Sequence, residues 1–196
     1  NCEISVTTSD NVTSDNLSVS SFTIDITAPT LAETTLVPSL TNDNVTRYTF
    51  SSTEGGTITI GGHCSNGSDN NTVVADNMTV SFAALPDATY SNCTITVTDS
   101  AGNTVTIDVN SFTIDTTAPI LAEVTAVPNP TNDNTSNYTF FSTLPGTIGY
   151  GGSCSSDNRT AVAMDNNTIT FNALADGDYS NCTVRVTSNS VASDNL

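Results

Sequence analysis

The five cysteines are the residues of this sequence with the most definite chemistry. Cys64 recurs as Cys154 after 90 residues, and Cys93 recurs as Cys182 after 89. The repeat therefore pairs Cys64 with Cys93 and Cys154 with Cys182, and it leaves Cys2 as the second half of a pair whose partner lies upstream. Disulfides persist in oxidising compartments, so we expect the protein outside the cytosol. Closing loops of this length should stabilise each repeat by roughly 3 kcal/mol.

Two other uses of the cysteines are open from the sequence alone. They could be buried free thiols, which pack as small apolar side chains. A zinc site would need further ligands beside the sulfurs, and His63 is the single histidine of the chain. The corresponding position of the next repeat is Ser153, so such a zinc site would not recur along the chain.

The charged residues exclude several classes of protein. There are 20 acidic residues against 3 basic ones, a net charge of −17. Nucleic acids and anionic membrane surfaces need basic contacts, so we expect neither as a partner. No apolar run approaches the roughly 20 residues that span a bilayer. With one histidine, no glycine-rich phosphate loop and no metal triad, we expect no enzyme.

The elements that would position these residues follow from one repeated stretch. Ser21-Phe-Thr-Ile-Asp-Ile-Thr-Ala-Pro29 returns 90 positions later as Ser111-Phe-Thr-Ile-Asp-Thr-Thr-Ala-Pro119. Proline fixes φ and stiffens the residue before it, so Thr-Ala-Pro predicts a short, rigid joint between domains. We expect a window from a longer array, divided into the last strands of a preceding repeat (1–27), a complete repeat (28–117) and a repeat truncated before its last strand is complete (118–196).

Alternating apolar positions predict strands throughout the chain. Tyr48 and Phe50 share one face of a strand, as do Cys93, Ile95 and Val97. The expected bounds of other strands are 2–6, 12–24, Leu31–Val37, Thr57–Ile60 and Val105–Ile114, the last with a change of face at Asn110-Ser111. Short strands between turn clusters predict an all-β fold of tandem immunoglobulin-like antiparallel Greek-key β-sandwiches, with about 90 residues per repeat.

Tyr90 and Tyr179 are candidate tyrosine corners. In immunoglobulin-like sandwiches such a Tyr hydroxyl ties the start of a strand to the backbone upstream. In antibody domains the cysteine follows this Tyr by two residues, whereas here Cys93 follows Tyr90 by three. A bulge at Ser91-Asn92 is therefore needed to place both side chains on one face.

The joint and the turn Thr98-Asp-Ser-Ala-Gly-Asn103 resemble bacterial immunoglobulin-like tandem repeats of giant extracellular adhesins and related surface proteins. The resemblance covers the whole chain. It implies a secreted or cell-surface structural protein, extended and multidomain, with calcium often held between its domains.

The predicted topology places candidate calcium ligands at the pole that faces the preceding repeat: Asp25, Glu54, Asp76 and Asp99 at the first joint, and Asp115 and Asp165 at the second. Carboxylates this close repel one another unless a hard cation lies among them. In the next repeat Ser188 replaces Asp99 and Leu144 replaces Glu54, so we expect calcium at the first joint more than at the second. Acids of the opposite pole could serve instead: Asp43 with Asp133, and Asp87 with Asp176. The alternative is that all these acids are solvated turn residues that keep the chain soluble.

Three functions are open at this stage. The first is an extended spacer or stalk of a very large surface protein, whose repeats contact only their neighbours in the chain. The second is a subunit of an extracellular filament or sheath, in which identical chains pack laterally or exchange strands. It predicts exposed apolar side chains, with candidates Val73, Val74, Ile120 and Phe141. The third is binding of glycans or ice, which the 12 aromatic residues (5 Tyr and 7 Phe) and the absence of Trp make the least favoured.

Overall fold

The computed structural model describes residues 2–65, 67, 72–73 and 75–196, and their regular secondary structure is entirely β. These residues contain no helix long and apolar enough to cross a membrane. We call residues 1–27 the first segment, 28–117 the central segment and 118–196 the third segment.

The strands of the three segments are short. The first segment contains β1 (Cys2–Ile4) and β2 (Leu17–Val19). The central segment contains β3 (Leu31–Thr35), β4 (Leu40–Thr41), β5 (Arg47–Ser52), β6 (Gly56–Gly61), β7 (Thr72–Val73), β8 (Asn77–Ser81), β9 (Ala88–Tyr90), β10 (Thr94–Thr98), β11 (Thr104–Asp108) and β12 (Phe112–Ile114). The third segment contains β13 (Leu121–Thr125), β14 (Asn137–Ser142), β15 (Gly146–Gly151), β16 (Thr160–Ala161), β17 (Asp165–Thr170), β18 (Thr183–Ser188) and β19 (Val191–Ala192).

The central segment is built from three small sheets. Their strand orders are β3-β5-β8, β11-β10-β6-β7 and β4-β12-β9. Every pairing is antiparallel except that of β12 with β4. Alternate side chains of these strands meet in one core, in which Tyr48, Phe50, Val80, Ile95 and Val97 are fully buried. This burial supplies the main apolar stabilisation of the segment.

The last predicted strand of the central segment is divided. The expected strand Val105–Ile114 appears as β11 and β12, which lie in different sheets. The change of face predicted at Asn110-Ser111 coincides with this crossing between sheets. There the Asn110 side chain accepts a hydrogen bond from the Val37 amide at 3.0 Å and donates one to the Val37 carbonyl at 2.7 Å. Those two bonds replace the strand pairing that the backbone gives up there.

Three other strand expectations need correction. Tyr90 ends β9 and Cys93 precedes β10, and these strands lie in different sheets, so the strand breaks where a bulge was expected. β3 ends at Thr35, short of Val37. Of residues 12–24, only Leu17–Val19 form a strand, because residues 20–24 have no pairing partner among the described residues.

The third segment repeats the strand pairings of the central one. Its sheets have the orders β13-β14-β17 and β16-β15-β18-β19, which correspond to β3-β5-β8 and β7-β6-β10-β11. The register shift between Glu33 and Thr35 recurs between Glu123 and Thr125. Its own core surrounds the buried side chains Phe140, Ile148, Ile169, Val184 and Val186.

Threonine pairs join neighbouring strands on their outer faces. The hydroxyls of Thr49 and Thr79 lie 2.8 Å apart, and those of Thr139 and Thr168 lie 2.9 Å apart. Cross-strand hydroxyl pairs of this kind each contribute a fraction of a kcal/mol to a sheet. The threonine-rich composition is thus used in the sheets as well as in the turns.

Candidate functional site at the interdomain joints

Two disulfides fasten the central and third segments internally. Cys64 is bonded to Cys93 and Cys154 to Cys182, with Cα atoms 5.2 Å apart in both pairs. These are the pairings that the repeat predicts. Cys2 is exposed and has no disulfide partner among the described residues, and a partner upstream of this sequence remains a prediction. The two disulfides indicate an oxidising compartment.

A glycine turn before each first cysteine makes the disulfide geometry possible. Gly62 and Gly152 have φ values of 75° and 70°, a conformation that favours glycine. A Cβ at Gly62 would collide with the carbonyl of Asn92, and one at Gly152 with the carbonyl of Asn181. The close approach brings each turn against the residue before the second cysteine of its pair.

Both predicted tyrosine corners form the expected kind of contact. The hydroxyl of Tyr90 donates to the carbonyl of Pro86 at 2.8 Å, and that of Tyr179 donates to the carbonyl of Ala175 at the same distance. Burial raises the pKa of Tyr90 above its ordinary value of 10.0, which already lies far above neutral pH, so the hydroxyl is a protonated donor.

The first joint, residues 25–29, is held by short local bonds. The Asp25 carboxylate accepts the amide of Thr27 at 3.0 Å, which fixes a turn, and Pro29 is buried. Thr30 then exchanges two hydrogen bonds with Thr53, through its amide at 2.9 Å and its carbonyl at 3.1 Å. The joint therefore enters the central segment in a fixed direction.

The second joint, residues 115–119, has the same geometry. Asp115 accepts the amide of Thr117 at 3.0 Å, and Pro119 is buried. Ile120 exchanges hydrogen bonds with Thr143 at 2.9 and 3.1 Å. The two joints have the same geometry because they share the Asp-x-Thr-Ala-Pro sequence and because a threonine, Thr53 or Thr143, bonds the residue after the proline.

Each joint is also tied to a turn of the segment that follows it. The Asn103 side-chain amide donates to the Asp25 carbonyl at 3.2 Å, and that of Asn189 donates to the Asp115 carbonyl at 2.9 Å. The two turns differ in construction. The central one spans residues 99–103, whereas the other is a two-residue turn in which Asn189 and Ser190 have φ values of 44° and 62°.

Sequence reasoning missed these two asparagines. They occupy different positions when the repeats are aligned on their cysteines, because the third segment has one residue fewer between Thr187 and Ala192 than the central one has between Thr98 and Thr104. The sequence does show an Asn in each turn. Asn is common in turns for local reasons, so its presence does not predict a hydrogen bond to another segment.

Asp87 holds the second joint from the preceding side. Its carboxylate accepts the amide of Thr116 at 3.0 Å, the hydroxyl of Thr116 at 2.8 Å and the hydroxyl of Thr117 at 3.1 Å. The side-chain bond from Thr116 is the main cause that lowers the pKa of Asp87. The sequence suggests Asp87 as an alternative metal ligand, whereas in the structure its carboxylate accepts hydrogen bonds from two residues of the second joint.

The candidate metal ligands are only partly brought together. Carboxylate oxygens of Asp25, Glu54 and Asp99 all lie within 4.8 Å of one another. Asp76, Asp115 and Asp165 do not belong to this group, and the described residues hold no second group of three. The Asp76 carboxylate instead accepts the amide of Asn77 at 2.8 Å, and Asp115 serves the second joint.

Asp99 is the buried member of the acidic group. One of its oxygens accepts the amides of Ala101 and Asn103 at 2.8 and 2.9 Å, and the other accepts the Asn103 side-chain amide at 2.8 Å. The Asn103 side chain is the main cause that lowers the pKa of Asp99. Asp99 is therefore ionised at neutral pH, and oxygen ligands of this kind suit a hard cation such as Ca²⁺.

The candidates for exposed apolar contact have different outcomes. Ile120 is 70% exposed, whereas Phe141 is half-buried. Val74 lies outside the described residues, and only the backbone of Val73 is described.

Comparison with known proteins does not identify a family. The sequence matches no protein-family model, and no curated protein matches it significantly.

Proposed function

We propose that this chain is a structural segment of a very large secreted or cell-surface protein, acting as an extended spacer. One observation carries the proposal: the repeated joint is bonded in the same way each time. Both joints have the same Asp-centred turn, the same buried proline and a carbonyl that accepts an Asn side chain of the following segment. A joint held on its following side passes a fixed direction from one segment to the next, as a stalk requires.

The segments are proposed to be immunoglobulin-like Greek-key sandwiches. A three-stranded sheet β3-β5-β8 beside a four-stranded sheet β11-β10-β6-β7 supports this assignment, as does the parallel pairing of β12 with β4. The two tyrosine corners are further support. In such an array each unit contacts its sequence neighbours, and length is gained by adding units.

The proposed location is the extracellular surface. An oxidising compartment, indicated by the disulfides, is a necessary condition for it. A net charge of −17 also keeps an exposed stalk soluble. The role is mechanical and needs no catalytic centre.

Calcium is proposed at the first joint. Asp25, Glu54 and Asp99 would hold it, and it would relieve the repulsion among their carboxylates. Because Asp25 belongs to the joint and the other two to the central segment, a bound cation would stiffen this joint. Titration of Ca²⁺ followed by calorimetry tests the site, and absence of binding would remove calcium without removing the spacer.

A filament or sheath subunit is the second candidate. The observation that favours it is a set of exposed apolar side chains outside the two cores, which includes Ile120, Val124, Val162 and Met164. Exposed apolar side chains mark a protein contact when they adjoin one another, and the filament requires these residues to form such a patch. Identical chains would cover these residues laterally.

Electron microscopy of the native material separates the two candidates. The spacer predicts thin strings with one sandwich across their width. A thicker fibre, in which every sandwich contacts neighbouring chains, would overturn the spacer and support the filament.

A further inference from the structure

Phe141 lies on the outer face of a sheet of the third segment. Its neighbours Phe140 and Ser142 are buried on the inner face of β14, so Phe141 points the other way and is only half-buried. The corresponding residue of the central segment is Ser51, which has the same place in the strand pairing. A sheet face that meets solvent is usually polar. Phe141 thus departs from the pattern without contributing to the core.

The corresponding face of the central segment is open to solvent as well. The hydroxyls of Thr49 and Thr79 pair there, and Asn77 and Thr79 are exposed, although β12 of that segment is in place. The openness of this face is therefore a property of the segment with its last strand present.

Asn166 is the residue directly opposite Phe141 in the pairing of β17 with β14. Side chains in this relation have Cβ atoms about 5 Å apart. Asn166 is exposed, and its side-chain amide forms no hydrogen bond with any residue that the structure describes. An available amide thus lies beside an outward aromatic ring.

The next residue fixes the direction of Asn166. The Asn167 side chain is buried, accepts the amide of Val162 at 2.6 Å and donates to the carbonyls of Val162 and Asp165 at 3.1 and 3.0 Å. Because side chains alternate along a strand, Asn166 and Thr168 on either side of it both point outward. Both are exposed.

Asn166-Asn-Thr168 has the Asn-x-Thr pattern of an N-glycosylation acceptor. This pattern is frequent in a chain rich in Asn, Ser and Thr, so the pattern alone selects no site. Some of the other asparagines serve the fold, as Asn181 does by accepting the amide of Ser153 at 3.2 Å. Asn166 combines the pattern with an exposed amide, an exposed hydroxyl and an aromatic neighbour.

We propose that Asn166 carries an N-linked glycan whose first sugar packs on the ring of Phe141. The side-chain nitrogen of Asn166 forms a bond to the anomeric carbon of the sugar and loses one proton, while the bond from that carbon to a pyrophosphate leaving group breaks. The donor is thus an activated sugar pyrophosphate, used by a separate transferase. The C–H groups on one face of a sugar ring suit the negative face of an aromatic ring, which accounts for an outward Phe at this position.

The glycan also covers a sheet edge. β17 is an edge strand of the sheet β13-β14-β17, and exposed edges invite pairing with other chains unless they are covered. A glycan at Asn166 hinders lateral pairing along β17, as a single-file array requires. The inference rests on the proposed extracellular location, because acceptors of this kind belong to secreted proteins.

Peptide mass spectrometry of the native material tests the modification. Trypsin cleaves after Arg159 and Arg185, so after reduction one peptide holds both Asn166 and Asn181. Electron-transfer fragmentation leaves a sugar on its residue and so distinguishes the two. We expect a sugar on Asn166 in most copies and an unmodified Asn181. Unmodified Asn166 overturns the proposal, and equal occupancy of Asn181 overturns the selection of Asn166 by its surroundings.

Removing the ring tests the packing of the sugar. Phe141→Ser supplies the residue of the central segment, and the chain is secreted from a host that glycosylates this pattern. In the parent, Asn166→Gln should lower the melting temperature by about 3 °C through loss of the sugar contact. In the Phe141→Ser background the same change should have little effect. Asn77→Gln is the matched control, since Ser51 lies opposite it, and it should have little effect in either background.

Equal shifts with and without the ring would overturn the packing of sugar on Phe141. Absence of any glycan in the native material would leave the spacer function unaffected, because that function is tested by the width of the strings in electron microscopy. Thick fibres with a glycosylated Asn166 would contradict the spacer and leave the modification in place.

Discussion

The two joints share a backbone and differ in charge. Both have the Asp-centred turn, the buried proline and the Asn contact to the joint carbonyl. At the first joint, carboxylates of Asp25, Glu54 and Asp99 converge within 4.8 Å. At the second, Leu144 and Ser188 stand in place of Glu54 and Asp99.

This difference separates two roles of the joint. Direction is set by hydrogen bonds that both joints possess, so it does not depend on a cation. We propose that the acidic group adds a second level of control at one joint only, where a cation would relieve the charge repulsion. A spacer built this way would have one joint that responds to calcium and one that does not.

The largest expected effect is the loss of stability on removing a disulfide, and it allows the central and third segments to be compared directly. The bonds span 29 and 28 residues, so Cys64→Ser with Cys93→Ser and Cys154→Ser with Cys182→Ser should each cost roughly 3 kcal/mol of unfolding free energy. Denaturant unfolding measures both. Losses that differ by more than about 1 kcal/mol would show that the segments are not equivalent frameworks.

The second largest expected effect is stabilisation by calcium, which should depend on the first joint and not on the second. If it binds the folded state alone, calcium at one hundred times its dissociation constant stabilises the protein by about 2.7 kcal/mol. Glu54→Gln should abolish the calcium-dependent rise in melting temperature. The matched variant Asp115→Asn, which alters the carboxylate of the second joint, should retain it. An equal response in both variants would mean that the acidic group is not the site.

The asparagine contacts should differ in strength between the joints. Asn189→Ala removes its bond to the Asp115 carbonyl, for a loss of about 1 kcal/mol. Asn103→Ala should cost more, because the same side chain also bonds Asp99. Paired unfolding measurements on the two variants test the order, and a larger loss for Asn189→Ala would reverse the ranking.

The smallest expected effect is a loss of stability at both joints when the pH is lowered. Hydrogen bonds lower the pKa of Asp87 at the second joint and of Asp99 at the first. A lowered pKa means that the stabilisation is fully present above the unfolded value of about 3.9, and is lost as the pH falls through the folded value. NMR titration of the Thr116 and Ala101 amides, which these carboxylates accept, should give midpoints below that value. Midpoints at or above it would contradict the bonds.

Local patterns predicted the core of this fold well and its crossings poorly. Alternation identified the buried faces of Tyr48 with Phe50 and of Ile95 with Val97, because one-sided burial imposes a period of two. Alternation cannot show that a strand leaves one sheet for another, and so Val105–Ile114 was expected as a single strand. The crossing depends on the Asn110 bonds to Val37, 73 residues away in sequence.

The candidate site was predictable where the repeat supplied the geometry. The cysteine pairs and the tyrosine hydroxyl bonds follow from positions that recur in both segments. Three of the four acids expected at the first joint converge, whereas Asp76 bonds its own neighbour. The asparagine contacts were not predictable, because the turns that carry them differ in length and only the folded chain brings them to the joint.

Small-angle X-ray scattering of the dilute chain tests the spacer most directly. A compact globule of 196 residues has a radius of gyration of about 16 Å. The spacer predicts a clearly larger radius, with the cross-section of a single sandwich. A radius near that of the compact globule would show that the segments fold back on one another, and it would contradict the spacer.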